Sequence, residues 1–240
     1  MSNVITIARR ELGVFFSSTL FWVIATAFML FGGLLFALYI QSPQAQATML
    51  PLLSLYGTVL LFVTPLMAMR LLAEEQRSGT LELLMTSPVQ DWQVVMGKWL
   101  GALMALLSLM ALTLSHVFIM GRLSEKGLDL GPMLSSYLGL ALLCAALLAL
   151  GVLTSSVTDS QVVAGFLGVM LVLVLWFLSI LNQIGTEAAW AKGLAYMGLS
   201  DHYMHFGDGL IDTRDVIYFL TLTFGCLFLA TRILETRRWR

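Results

Sequence analysis

Six apolar stretches alternate with short polar breaks along the chain, near residues 18–40, 52–73, 93–120, 133–154, 161–184 and 215–234. About 20 apolar residues cross the hydrocarbon core of a bilayer as a helix, so the pattern predicts six transmembrane helices. The third stretch is the longest and is expected to tilt or to project beyond the bilayer. None carries Asp, Glu, Lys or Arg near its middle. Ahead of the first, residues 3–17 have a helical period. Ile5, Ala8, Leu12, Phe15 and Phe16 fall on one face, Asn3, Thr6, Arg10 and Ser17 on the other, and Arg9 flanks. This is an amphipathic helix suited to the headgroup region, or else the solvated end of a longer span.

The one long run of charge and turn chemistry between apolar stretches lies within Ala73–Gly101, AEEQRSGTLELLMTSPVQDWQVVMGKWLG. Glu74, Glu75 and Arg77 end one apolar run and Gly79 breaks the chain. Thr80–Thr86 predicts two turns of helix with Leu81, Leu84 and Met85 on one face, and Glu82 in the first turn suits the helix dipole. Ser87 is a candidate cap, Pro88 suits the first helical position, and Gln90 completes an S-x-x-Q capping box. Two readings stand. One is a solvated hairpin, which needs only a few residues. The other is a short helix held crosswise at the membrane face, its apolar side made for a groove on a soluble partner.

Composition agrees with the membrane pattern: 59% hydrophobic and 11% charged residues, with a mean hydropathy of +0.89, exclude an ordinary soluble domain. The net charge of −1 is uninformative; the placement of Lys and Arg matters more. With the N-terminus inside, nine of them (Arg9, Arg10, Arg70, Arg77, Lys98, Arg232, Arg237, Arg238, Arg240) face inward and four (Arg122, Lys126, Lys192, Arg214) face outward. That bias predicts both termini and the 74–92 segment on the cytoplasmic side. Cys144 and Cys226 lie within apolar stretches and read as small core residues. No small-residue cleavage site follows the first apolar run, which predicts an uncleaved anchor.

The segment EEQRSGTLELLMTSPVQDWQVVMGKWLGA resembles the coupling-helix segment of ABC-2-type transporter permeases, in particular the gliding-motility F-type permeases. The match to E-E-x-x-x-G-T-L-E-x-L-L-x-[ST]-P-x-x-[DE] runs through Glu74, Glu75, Gly79, Thr80, Leu81, Glu82, Leu84, Ser87, Pro88 and Asp91, with Met85 where Leu is commoner. Two further segments are similar to the family's. The turn at 153–161 matches S-S-x-T-[DE]-x-Q through Ser155, Ser156, Thr158, Asp159 and Gln161, where Thr158 and Gln161 also read as a capping box. The stretch Gly209, Ile211, Asp212, Asp215, Tyr218, Phe219, Leu220 matches the approach to the last span.

The resemblance implies an all-α polytopic membrane protein forming one domain over 1–240. Its parts are an interfacial helix at 1–17, spans 1–2 at 18–73, a coupling segment at 74–92, spans 3–5 at 93–184, an outer helical segment at 185–214, and span 6 with a basic tail at 215–240. It implies a permease subunit of an ATP-driven exporter in the bacterial cytoplasmic membrane. ATP and Mg would sit on a separate ABC-type ATPase; a second permease subunit, the same or a related chain, would complete the unit. An auxiliary envelope protein and membrane lipid are further expected partners, and nucleic acid is not. Glu74, Glu75, Arg77, Gly79, Thr80, Leu81, Glu82, Leu84, Met85, Ser87 and Pro88 would couple to the ATPase. Leu81, Leu84 and Met85 would supply apolar contact; Glu75, Arg77 and Glu82 would set register.

No G-x-x-x-x-G-K-[ST] occurs, since Trp99 follows Gly97-Lys98, so the chain has no P-loop. The absence of mid-span charge argues against ion-coupled transport. The drive is therefore expected to be borrowed, and no catalytic residue or cofactor is assigned to the chain itself. An alternative is an ATPase-linked scaffold for envelope or motility machinery that does not transport. An intramembrane protease is a third reading: Glu74-Glu75-Gln76-Arg77 is a poor E-E-x-x-x-R and no span carries paired histidines. Asp201, His202, His205 and Asp208 invite a metal reading, but Gly207 and Gly209 loosen the backbone and the segment reads instead as short helices on the outer rim. His116, Asn182 and Gln183 are expected to be hydrogen-bonded between helices or at the interface.

Overall fold

The computed structural model describes residues 2–41, 48–79, 89–123, 129–183 and 189–237. Among them every regular element is helical: α1 Ser2–Ser17, α2 Thr19–Gln41, α3 Leu50–Ala68, α4 Ala73–Ser78, α5 Asp91–Leu112, α6 Leu114–Leu123, α7 Leu130–Val157, α8 Gln161–Phe177, α9 Ile180–Gln183, α10 Ala189–Tyr196, α11 Leu199–Gly207 and α12 Thr213–Arg237. Five helical runs are long and apolar enough to cross a membrane: 19–41, 50–78, 91–123, 130–157 and 213–236. The fifth stretch of the sequence, 161–184, is not one helix. It divides into α8 and α9 around Leu178-Ser179, and the 17 residues of α8 reach about 26 Å, less than the roughly 30 Å of a hydrocarbon core. Ser179 Oγ accepts the Asp201 N–H at 3.3 Å, so the outer segment plugs the break. The third span also breaks, at Thr113, whose hydroxyl donates to Met110 O at 2.6 Å and pairs with the Tyr137 hydroxyl at 2.9 Å.

The bundle is built around α7, which packs against α3, α5, α8, α11 and α12. Small residues set these approaches. A Cβ on Gly151 would meet the Ala68 Cβ at 2.4 Å, and one on Gly139 the Phe206 ring base at 2.7 Å. Such close contact is how helices gain packing energy in lipid, where burial from water contributes nothing between spans. The ends of α7 are pinned by hydroxyls: Ser135 Oγ donates to Phe206 O at 2.7 Å at its start, and Ser155 binds the end of α3 at its finish. His116 is buried and hydrogen-bonds Tyr56 at 3.2 Å across two helices. The backbones of Asn182 and Gln183 lie in α9.

α1 is the helix expected from its period, but its packed face differs from the one the period picks. Val4, Ala8, Glu11 and Phe15 are buried, at i, i+4, i+7 and i+11, whereas Ile5 and Phe16 are exposed. The buried stripe lies on α5 at Gly97 and Gly101. A Cβ at 101 would sit 2.8 Å from Ala8 O and 2.6 Å from Glu11 Cβ. The helix start at α5 moves as well. It begins at Asp91, not Pro88, and the capping contact runs from the Gln90 N–H to Gln93 Oε1 at 3.3 Å; Ser87 and Pro88 lie outside the described residues. At α8 the N-cap is Ser160, not Thr158, whose Oγ1 instead accepts the Ser160 N–H at 3.2 Å.

Gly101→Ala is expected to push α1 off α5 and destabilise the fold by about 1–3 kcal/mol, the usual cost of overpacking. Gly13→Ala, with nothing within 4 Å of the new Cβ, should be neutral or stabilising by about 0.5–1 kcal/mol. Thermal melting in detergent compares the two.

Candidate functional site: the brace around α4

The end of the bundle that carries α1 also gathers α4, the start of α5, the end of α7 and the end of α12. Here α1 presents Glu11 on its buried stripe, and the glycines of α5 let that stripe approach Lys98. Lys98 is 3% exposed. Its Nζ lies 2.9 Å from Glu11 Oε1 and 2.8 Å from Glu75 Oε1, so one ammonium joins three helices. Arg10 stands 3.6 Å from the same Glu75 oxygen at the rim. The other oxygen, Glu75 Oε2, is buried with no hydrogen-bond partner among the described residues. A cavity of about 270 Å³ opens beside the ions, lined by Arg10, Glu11, Arg70, Glu74, Glu75 and Lys98 among others.

The backbone that delivers Glu75 is held separately. After α3 ends, the chain turns through 69–72 and starts α4 with its first N–H groups unpaired within the helix. Ser155 takes two of them. Its Oγ accepts from Leu72 N at 3.1 Å and Ala73 N at 3.0 Å, and donates to Met69 O at 3.0 Å. Gln76 Nε2 adds a bond to Ser156 O at 3.2 Å. Ser155 is thus a side-chain cap supplied by another helix, α7, and the Ser156 carbonyl adds a second hold on α4. Arg70 fastens the α1–α2 elbow, with Nη1 donating to Ser18 Oγ at 3.0 Å and the guanidinium 4.9 Å over the Phe15 ring. Gly79 closes α4 at φ +72°, in the left-handed region that favours glycine at a helix C-terminus.

Of the residues the sequence points to, Glu75 is drawn inward and engaged by Lys98. Glu74 lines the cavity, Arg77 is exposed, and Gly79 makes the turn. Thr80, Leu81, Glu82, Leu84, Met85, Ser87 and Pro88 lie outside the described residues. Lys98 and Glu11 are site residues that pattern reading missed, though each left a signal. Glu11 is a charge on an otherwise apolar stripe of α1, and Lys98 follows a glycine at the start of a span. Ser155 and Ser156 were legible as a turn, not as a cap for another helix.

At the opposite end, the two histidines of α11 turn to Asp215 at the start of α12. His202 Nδ1 faces Asp215 Oδ1 and its Nε2 lies 2.9 Å from Tyr196 O, while His205 Nδ1 is 3.0 Å from Asp215 Oδ2. The His202 ring stacks on Tyr218 at 4.0 Å. Neither histidine takes Asp201 or Asp208 as its partner in these contacts, and among the described residues no group of three or more His, Cys, Asp or Glu is placed to hold a metal ion. Tyr203 reaches the bundle, its hydroxyl donating to Leu53 O at 2.8 Å. Burial pushes that phenol far above its ordinary range, which keeps it a donor.

The fold and the brace define a multi-pass helical membrane protein whose charged end is tied into one unit around a short helix. The chain belongs to the ABC-2 family of transporter proteins, whose family model matches residues 5–196. No curated protein matches it significantly. The family forms the membrane permease of ABC transporters, not the ATPase itself, and generally works with an ABC ATPase subunit.

Breaking the brace from its centre should be severe. Lys98→Met strands Glu11 and Glu75 and is expected to destabilise the chain by about 3–5 kcal/mol; adding Glu11→Gln should recover part of that loss, as read by thermal unfolding in detergent. Ser155→Ala leaves the Leu72 and Ala73 N–H groups without their acceptor, for an expected loss of about 1–3 kcal/mol and faster amide exchange confined to 72–73.

Proposed function

We propose that this chain is the permease subunit of an ATP-driven ABC exporter of the bacterial cytoplasmic membrane, working with a separate ATPase and a second permease subunit, either another copy or a related chain. In this reading α8 with α9 completes six crossings, both termini face the cytoplasm, and the 74–92 segment is the coupling element. Within the family, the sequence segments at 74–91 and 209–220 favour the gliding-motility F-type permeases.

The observation that carries the proposal is the double hold on α4. Its side chain Glu75 is gripped by Lys98, and its first turn is capped by Ser155. Residues 80–88 follow α4 in sequence, so in this reading a pull on them would be passed to α1, α5 and α7 through that hold. A solvated hairpin has no use for a buried ion cluster at its root. The placement of basic residues supports the orientation. Arg9, Arg10, Arg70, Arg77 and Arg232 sit at the α4 end, against Arg122, Lys192 and Arg214 at the other; Lys98, being buried, leaves the comparison. Positive residues favour the cytoplasm. The ATPase would then close on Leu81, Leu84 and Met85, with Arg77 and Glu82 setting register beside a Glu75 already engaged inside the chain. Coupling of this kind is typically worth about 1–3 kcal/mol between sites.

The test is co-purification with an ABC ATPase from the same organism, followed by Leu84→Asp. A carboxylate forced into an apolar groove is expected to weaken assembly by roughly tenfold or more and to abolish permease-dependent change in ATP turnover. Unchanged assembly and turnover would overturn the coupling assignment. Ser78→Cys should react with a membrane-impermeant thiol reagent in inverted vesicles and not in intact cells; the reverse would overturn the orientation.

A further inference from the structure

The face of α12 turned away from the bundle forms a groove with the end of α10. Arg214, Ile217, Tyr218, Leu222, Gly225 and Leu229 recur every three or four residues along it, which places them on one side of the helix. From 214 to 229 the groove runs about 22 Å, and its volume is about 570 Å³, within the range of ligand sites. It has room at its centre, because a Cβ on Gly225 would meet nothing within 4 Å. Met197 and Tyr196 close the Arg214 end, where the Tyr218 hydroxyl donates to Met197 O at 2.7 Å.

The groove is polar at one end only. Arg214 is the sole charged residue among those lining it, and its guanidinium makes no ion pair among the described residues. Arg214 also lines the neighbouring cavity with Asp201, Asp212 and Asp215; Asp215 is engaged by the two histidines, and Asp212 Oδ1 accepts the Arg214 backbone N–H at 2.8 Å. An occupant must therefore be apolar over most of its length and anionic at one tip. α12 is one of the five membrane-length helices, so what reaches this face from outside is the bilayer.

We propose that the groove holds one anionic phospholipid, its phosphate on the Arg214 guanidinium and one acyl chain laid along α12 past Gly225 to Leu229. The planar fork of Arg matches a phosphate with two parallel N–H donors, and Tyr196 and Tyr218 supply the amphipathic rings usual at headgroup depth. The site is a resident lipid position and does not depend on how the chain is coupled to an ATPase. A second copy of the chain is the competing occupant, but it would have to present an anion at one end and a continuous apolar ridge along the rest.

Native mass spectrometry of the full chain in detergent tests this, with phosphatidylglycerol and phosphatidylcholine of the same acyl chains as probes. One phosphatidylglycerol per chain should be retained in preference to phosphatidylcholine. Arg214→Gln should lower phosphatidylglycerol retention about fivefold and leave phosphatidylcholine unchanged, while Gly225→Phe should lower both by filling the groove. Arg214 is exposed, so Arg214→Gln serves alone should Gly225→Phe fail to fold, with melting without added lipid as the check. Equal retention of the two lipids by the wild type, or unchanged retention in Arg214→Gln, would overturn the proposal. So would an Ile217→Cys chain forming disulfide-linked dimers in phosphatidylglycerol vesicles, which would give the groove to a second copy.

Discussion

A lysine ammonium held away from water between two carboxylates sets the geometry of one whole end of this protein. Removing such ions from water costs several kcal/mol each, and their attraction offsets this only when the geometry is good. Lys98 meets that condition with two oxygens at 2.8 and 2.9 Å, one from α1 and one from α4. The three helices therefore have to arrive together. Their arrival depends in turn on Gly97 and Gly101, since any Cβ there would overlap α1 and hold Glu11 out of reach. Helix approach and ion pairing are thus one constraint seen from two sides. Glu75 Oε2, without a partner among the described residues, is the part of the cluster that stays unsatisfied, beside the cavity that Arg10 and Glu74 border.

From α4 the connection passes to α7 through a hydroxyl and a carbonyl, Ser155 and Ser156, and α7 then packs on most of the bundle. At its far end Ser135 and Ser136 hold Phe206 O, and α11 is fixed in turn to α3 by Tyr203 and to α12 by the His202–Asp215 contact. Packed contacts thus run without a gap from α4 to the other end of the molecule, one kind of path by which distant sites are coupled. The route runs through one long helix pinned at both ends, not through a chain of side-chain hydrogen bonds across the middle.

The spans were legible because twenty apolar residues admit little else in a chain of this composition. Their interruptions were not. Apolarity continues unbroken through Thr113 and through Leu178-Ser179, and the breaks come from the neighbours, Tyr137 in one case and the Gly198–Asp201 backbone in the other. The face of α1 was misassigned for a related reason: in a membrane both sides of such a helix can be apolar, so the period finds the more hydrophobic side, here bearing Ile5 and Phe16. The packed side is marked instead by what stands opposite, two glycines four apart. Capping was misplaced where several polar residues lie three apart; Ser87–Gln90 and Gln90–Gln93 both fit the pattern, and the packing of α5 selects the second. Lys98 was counted among the charges of the cytoplasmic face; what the count could not show is that its ammonium is buried and spent within the chain, on Glu11 and Glu75. Glu75, by contrast, stood out from the sequence, although its partner within the chain did not.

Polar anchoring is concentrated at the two ends of the bundle. At one end stand Lys98 with its carboxylates, Ser155 and Arg70; at the other, Ser135, Tyr203 and the histidines on Asp215. Between them lie small residues and aliphatic contacts, with Tyr56–His116, Thr113–Tyr137 and Trp99–Ala145 O among the cross-helix polar contacts. Helices packed this way in lipid hold their relative tilt chiefly through their pinned ends and their closest glycine contacts, because the apolar surfaces between lose little by exchanging a neighbour for an acyl chain. The α4 end is therefore one of the two places where tilt is decided. Changing the state of a few end contacts would reorient long rods without unpacking a core.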